Sequence, residues 1–105
     1  MNQLKLALEY QCFPVWEYDE DENLISNELP DTLIGDIELD PLCVKIQEQY
    51  DSLFQNDSHS FQYRGFLTSA EKAAFETDIF RLERLLRNKV GGDCVVINDI
   101  DFDEL

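Results

Sequence analysis

Basic residues are scarce in this chain of 105 residues, which has 8 Lys and Arg against 23 Asp and Glu and a formal net charge of −15. A protein that binds nucleic acid through its phosphates, or that binds an anionic membrane surface, needs clustered Lys and Arg side chains. The composition therefore argues against a direct nucleic-acid partner and against a membrane partner. It favours a basic protein partner, and the alternative is that the acidity serves only solubility.

Residues that build catalytic sites are also few. His59 is the one histidine, and no Cys or Ser lies in a context typical of an activated nucleophile. His59 is expected in a solvated loop. We therefore predict no catalytic residue, no cofactor and a function that is not enzymatic.

A metal site is not expected either. Asp19, Asp21 and Asn23 match the first ligand positions of an EF-hand calcium loop. The match fails further on, because Leu24 stands where the loop requires glycine and Pro30 stands where it requires a bidentate glutamate.

Cysteines are few and widely spaced. Cys12, Cys43 and Cys94 are odd in number and show no metal-ligand spacing, so we predict reduced, buried thiols. No apolar run approaches the length of a membrane span, and no charged segment followed by an apolar one opens the sequence. These features predict a cytoplasmic location.

Alternating apolar residues predict the strands. A first strand is expected over residues 3–10, a second over 15–18, and a short return strand at 24–25 after an acidic turn. Further strands are expected over 60–67 and 94–97.

Capping residues predict two helices. Asp40 as N-cap and Pro41 at the first helical position predict a helix over 41–55. Thr68 and Glu71 form a capping box that begins a helix over 69–89, which Gly91 ends. Phe75, Ile79, Leu82 and Leu86 form its core stripe.

The order of these elements predicts the fold class. Runs of strands with two intervening helices are typical of an α+β domain, with a mostly antiparallel sheet of three to five strands and both helices packed on one face. The length fits a single acidic binding domain over residues 1–105. Residues 98–105 form an acidic tail, and the sequence leaves open whether this tail is ordered.

One acidic segment next to two aromatic residues is the best candidate for a partner-binding site. Carboxylates complement a basic surface, and aromatic rings supply contact area at low entropic cost. The segment consists of Trp16, Glu17, Tyr18, Asp19, Glu20, Asp21 and Glu22. The alternative for Trp16 is a buried strand residue.

A second candidate surface lies on the long helix. Phe80 falls outside the core stripe and points toward Arg84 and Arg87, so it either packs under another segment or stays exposed.

Three segments carry a resemblance to a known group of proteins. Residues 12–25, 50–54 and 61–66 resemble the small immunity proteins of bacterial polymorphic toxin systems, in particular those of contact-dependent growth inhibition. The resemblance implies a protein that binds and neutralises a cognate toxin, often a nuclease with a basic active site, and it carries over no site residue.

Two other classes remain open on the sequence alone. One is an acidic adaptor or nucleic-acid mimic from a phage-defence setting, and the other is a small enzyme with an unrecognised site. An inhibitor of this charge could cover the toxin's active site or bind elsewhere and block substrate entry.

Overall fold

The computed structural model describes residues 2–56, 60–92 and 94–105. The predicted loop position of His59 lies outside these residues. The elements in chain order are β1 (Asn2–Leu6), β2 (Val15–Tyr18), β3 (Leu24–Ser26), α1 (Leu39–Asp51), β4 (Phe54–Asn56), β5 (Phe61–Tyr63), α2 (Ser69–Val90), β6 (Cys94–Asn98) and a final 3-10 turn (Phe102–Glu104). The α+β class predicted from the sequence is confirmed.

The main sheet has four strands in the order β3-β2-β1-β6. The β1–β2 and β2–β3 pairs are antiparallel as predicted, but β6 lies parallel to β1, so the sheet is mixed. The parallel pairing follows from the path of the chain, because α1 and α2 separate β1 from β6 and return the chain to the same edge.

The two faces of the sheet have different surroundings. Leu4 and Leu6 of β1 are fully buried and share the core with Val15, Val96 and the apolar residues of both helices. Burial of each such side chain contributes about 1.5–3 kcal/mol. The helices therefore cover one face of the sheet.

The other face carries the residues between the core positions. Lys5 lies opposite both Trp16 and Ile97, and Gln3 lies opposite both Tyr18 and Val95. Residues directly opposite one another point to the same side of a sheet. Trp16 and Tyr18 therefore lie on the side away from the helices, which we call the open face.

Strand β1 is shorter than predicted. The alternation of Leu4, Leu6, Leu8 and Tyr10 suggested a strand over 3–10, but β1 ends at Leu6. The chain then turns back toward β2, where the Ala7 amide donates to the Pro14 carbonyl. Tyr10 instead packs against Phe54 and Phe61, so its apolar character reflects a ring cluster outside the main sheet.

Helix α1 begins and ends earlier than predicted. Its N-cap is Glu38 and not Asp40. The Asp36 carboxylate accepts hydrogen bonds from the backbone amides of Glu38 and Leu39, at 2.9 and 3.0 Å, and so satisfies free donors of the first turn. Pro41 is then the third helical residue, where its missing N–H is still not needed.

Helix α2 matches the prediction closely. The Thr68 hydroxyl accepts a hydrogen bond from the Glu71 amide at 3.1 Å. The helix ends at Val90, and Gly91 follows it with a φ of 59°, a conformation that favours glycine. The predicted core stripe is fully buried, with Phe75, Ile79, Leu82 and Leu86 each at 0% exposure.

A second, two-stranded sheet lies after α1. Residues 60–67 were predicted to form one strand, but only Phe61–Tyr63 is extended, and it pairs with β4. Phe54 was assigned to α1 and instead begins β4. The Leu53 carbonyl accepts hydrogen bonds from the amides of Arg64 and Gly65, which anchors this small hairpin.

The acidic tail, residues 98–105, lies against the rest of the fold. Its apolar residues Ile100, Phe102 and Leu105 are partly buried against the core. The Asp99 amide donates to the Leu6 carbonyl at 3.0 Å, and the Asp101 side chain caps the final 3-10 turn.

All three cysteines are free thiols, but only Cys43 is buried. Cys12 and Cys94 are half-buried, so the prediction of burial is wrong for these two. Burial, with a smaller effect of the Asp40 charge, raises the pKa of Cys43 to about 12.

Candidate functional site

The predicted acidic segment forms the hairpin between β2 and β3. Trp16 and Tyr18 lie on the open face, where the Lys5 ammonium sits 4.9 Å from the centre of the Tyr18 ring. The Trp16 indole N–H donates to the Ala7 carbonyl at 3.2 Å, and the ring is half-buried. Trp16 is therefore neither fully buried nor a freely projecting contact residue.

Glu17 lies on the opposite face of the sheet from its two aromatic neighbours. It pairs with Leu4 across the strands and accepts a hydrogen bond from the Asn2 side chain at 3.1 Å. The structure therefore does not bring the seven predicted residues to one face.

Residues 19–23, which we call the turn, connect β2 to β3. The carboxylate of Asp19 stabilises their conformation. The Asp19 side chain accepts hydrogen bonds from the backbone amides of Asn23 and Asp21, both at 2.9 Å. The bond from the Asn23 amide is the main cause that lowers the pKa of Asp19. Asp19 thus fixes the turn, whereas Glu20, Asp21 and Glu22 are exposed around it.

Ion pairs form within and between the helices and between α2 and the segment before α1. Lys45 pairs with Asp78, Arg87 pairs with Glu83, and Lys89 pairs with both Asp36 and Glu38. Hydrogen bonds from the Leu39 and Glu38 amides, followed by the bond from Lys89, lower the pKa of Asp36.

Five carboxylates at the two ends of the main sheet stand outside the ion pairs of the described residues. Within the part of the chain that the structure describes, no Lys or Arg forms an ion pair with Asp21 or Glu22 in the turn, or with Asp99, Asp101 or Glu104 in the tail. These carboxylates are available to a partner without displacing an internal pair.

The second candidate surface is partly covered by the tail. The Phe80 ring packs against Phe102 with ring centres 5.3 Å apart, yet Phe80 remains 51% exposed. Phe80 therefore both packs against another segment and stays partly exposed, which combines the two alternatives that the sequence left open. Arg84 is exposed, whereas Arg87 is paired with Glu83 at 3.1 Å.

An aromatic cluster that the sequence analysis missed surrounds Phe54. The ring of Phe54 lies 5.0–5.3 Å from four other rings, stacked on Phe61 and tilted against Tyr10, Tyr50 and Tyr63. The sequence contains a signal for this hairpin. Phe54 precedes a short polar stretch, and Phe61 and Tyr63 follow it, at a spacing typical of two paired strands. The predicted helix over 41–55, which included Phe54, obscured it.

A cleft of about 360 Å³ opens between this cluster and the acidic tail. We call it the aromatic cleft. The side chains that matter for its chemistry are Tyr50, Phe54, Tyr63, Asp99, Asp101 and Glu104. It joins apolar ring surface to carboxylates in one concave site.

Two other kinds of site are absent from residues 2–56, 60–92 and 94–105. No group of three or more His, Cys, Asp or Glu side chains could hold a metal ion. No helix there has the length and apolar character needed to cross a membrane.

Comparison with known proteins identifies the family. A family model described as Serratia CdiI immunity protein-like matches residues 2–99, which is nearly the whole chain. Comparison with curated proteins gave no match. The match agrees with the resemblance to contact-dependent growth inhibition immunity proteins, and the chain therefore belongs to the Serratia CdiI immunity protein-like family.

Proposed function

We propose that this chain binds and neutralises a basic nuclease toxin by covering the toxin's nucleic-acid-binding surface with carboxylates. Membership of an immunity protein family supports the inhibitory role. The single observation that carries the rest is the unequal distribution of ion pairs. The basic side chains in the ion pairs given above lie beside the helices, while the carboxylates of Asp21, Glu22, Asp99, Asp101 and Glu104 form no ion pair with a described Lys or Arg.

The proposed mechanism is competition with the nucleic acid. A nuclease holds phosphates with Lys and Arg side chains, and carboxylates placed at the same spacing satisfy those side chains in the complex. The complex needs no catalysis by this chain and no cofactor. A cytoplasmic location, where the toxin would meet its substrate, is part of the same proposal.

The hairpin from Trp16 to Glu22 is one proposed contact. Asp21 and Glu22 are exposed beside apolar side chains of β3, where Leu24 and Ile25 are each about half exposed. A polar rim around exposed apolar residues is typical of protein–protein interfaces. Asp19 is excluded from direct contact in this proposal, because its carboxylate already holds the turn.

The test uses the toxin domain encoded beside this chain's gene. The purified chain should bind that domain and suppress its cleavage of nucleic acid at about equal molar amounts. At 0.01 M salt the variant Asp21→Lys/Glu22→Lys should lose about tenfold in affinity, mainly through slower association.

The control variant is Glu48→Lys/Glu76→Lys, which makes the same change in net charge on the helices, outside the hairpin and outside the aromatic cleft. It should bind within about threefold of the parent chain, because isolated surface charges contribute little. A toxin that cleaves no nucleic acid would contradict the proposed function. Equal losses in both variants would remove the hairpin as a contact.

A further inference from the structure

The aromatic cleft has walls that are already arranged before any partner binds. Phe54 stacks on Phe61 with an angle of 7° between the rings and meets Tyr50 and Tyr63 edge-on at 5.2 and 5.1 Å. Each ring fixes its neighbours, so a partner does not have to order them. Tyr63, which lines the cleft, remains 40% exposed and so presents aromatic surface to water.

Carboxylates stand beside these rings. Asp99, Asp101 and Glu104 of the tail line the cleft. The charges of Glu9 and Asp51 also reach Tyr50 and, after burial and the influence of Tyr63, raise the pKa of its hydroxyl. The site is therefore negative as well as aromatic.

Some of these carboxylates have structural roles and others do not. Asp51 accepts a hydrogen bond from the Gln11 amide at 2.8 Å, and Asp101 accepts one from the Asp103 amide at 3.0 Å. Asp99 and Glu104 are exposed, and no described side chain pairs with them. These two are free to meet a ligand.

The combination of aromatic rings and carboxylates indicates the charge and size of the group that the cleft would bind. A Lys ammonium or Arg guanidinium is attracted to the face of an aromatic ring and forms strong, charge-assisted hydrogen bonds with carboxylates. An anionic or purely apolar group would leave the carboxylates uncompensated. The volume of about 360 Å³ admits side chains and not a folded element.

We propose that the aromatic cleft binds a Lys or Arg side chain presented by the toxin, with Tyr63 against the cation and Asp99 and Glu104 as its counter-charges. The inference rests on the proposed function, since the toxin is the basic partner. It adds a specific anchoring contact at the end of the sheet opposite the turn.

The test compares charge and ring variants in binding to the cognate toxin domain. The variant Asp99→Lys/Glu104→Lys should raise Kd about tenfold or more, mainly through faster dissociation. The control Glu48→Lys/Glu76→Lys should stay within about threefold. Tyr63→Leu should weaken binding, whereas Tyr63→Phe, which keeps the ring face, should restore it.

A charge exchange identifies the contact directly. Each exposed Lys and Arg of the toxin is changed to Glu, and one such change should recover binding to Asp99→Lys/Glu104→Lys while weakening binding to the parent chain. Circular dichroism confirms that every variant is folded.

Three results separate the possibilities. A parent chain that does not bind the toxin at all defeats the proposed function itself. A parent chain that binds while the cleft variants match the control overturns the cleft and leaves the function standing. A cleft variant that changes the mass of the free chain measured by light scattering would show that a second copy occupies the cleft, which also overturns the proposal.

Discussion

The two ends of the main sheet both carry carboxylates, but in different settings. At the turn end, the Asp19 carboxylate accepts hydrogen bonds within residues 19–23, and Asp21 and Glu22 are exposed to water. At the cleft end, Asp99 and Glu104 stand beside a ring cluster that holds Tyr50, Phe54 and Tyr63. Equal charge at the two ends therefore does not imply equal roles.

The carboxylates at the two ends differ in how strongly water and salt screen their charges. Charges that project into water are screened within about 8 Å at physiological salt, so they contribute little to a bound complex but attract a basic partner during approach. Charges beside apolar rings lose water when a partner binds and are less screened. We expect the turn end to steer the toxin and the cleft end to hold it.

The largest expected effect comes from removing the centre of the ring cluster. Phe54→Ala removes the ring that contacts four others and should destabilise the chain by about 2–4 kcal/mol, measured by urea unfolding. Ile25→Ala in the exposed edge strand β3 is the comparison at the turn end, and it should change stability by no more than about 0.5 kcal/mol. Similar losses in the two variants would show that the rings are not a distinct packed unit.

The next effect concerns association with the toxin at low salt. Asp21→Lys/Glu22→Lys should slow association about three- to tenfold at 0.01 M salt, and the difference from the parent should shrink as salt rises. Stopped-flow fluorescence across a salt series measures this. A difference that stays constant with salt would contradict steering by the turn.

The pH dependence of stability tests the structural use of Asp19. Because hydrogen bonds lower its pKa below the ordinary value of 3.8, its contribution is present above that value and is lost as pH falls through the lowered pKa. Asp19→Ala should therefore have a lower Tm than the parent at pH 7, and the gap should narrow below about pH 3.8. A gap that does not depend on pH would assign the loss to something other than the charged carboxylate.

The smallest expected effect is a difference in cysteine labelling between the two ends of the main sheet. Cys12 lies in the loop at the cleft end, Cys94 begins β6 near the turn end, and Cys43 is buried in the core. With the pKa of Cys43 raised to about 12, iodoacetamide at pH 8 should modify Cys12 and Cys94 of the folded chain and spare Cys43.

Toxin binding should slow the reaction of Cys12 more than that of Cys94. Mass spectrometry after short exposures measures each site. Rapid modification of Cys43 in the folded chain would contradict its burial.

The sequence predicted the parts of the fold that depend on local signals. The Thr68 cap and the stripe from Phe75 to Leu86 were confirmed because a cap and a period of 3.6 residues act within one element. The start of α1 was predicted wrongly because Asp36 lies outside the helix and its role depends on the path of the preceding loop.

Long-range pairings could not be predicted in the same way. The parallel register of β1 and β6 joins residues more than 90 positions apart, and nothing in either strand specifies its direction. The aromatic cleft depends on the loop after β1, the second sheet and the tail coming together. The acidic hairpin was visible only because its charges are adjacent in the sequence, and its role as a contact stays a prediction.

The central claim is that the turn end steers the toxin and the cleft end holds it. The most direct test measures the association and dissociation rates of the cognate toxin at 0.01 and 0.15 M salt. It compares two charge-matched variants, Asp21→Lys/Glu22→Lys at the turn and Asp99→Lys/Glu104→Lys at the cleft. We expect the turn variant to associate more slowly, mostly at low salt, and the cleft variant to dissociate about tenfold faster at both salt concentrations. If the two variants change the association and dissociation rates in the same proportion, the two ends of the sheet do not have different roles. The same conclusion follows if the cleft variant changes the association rate alone.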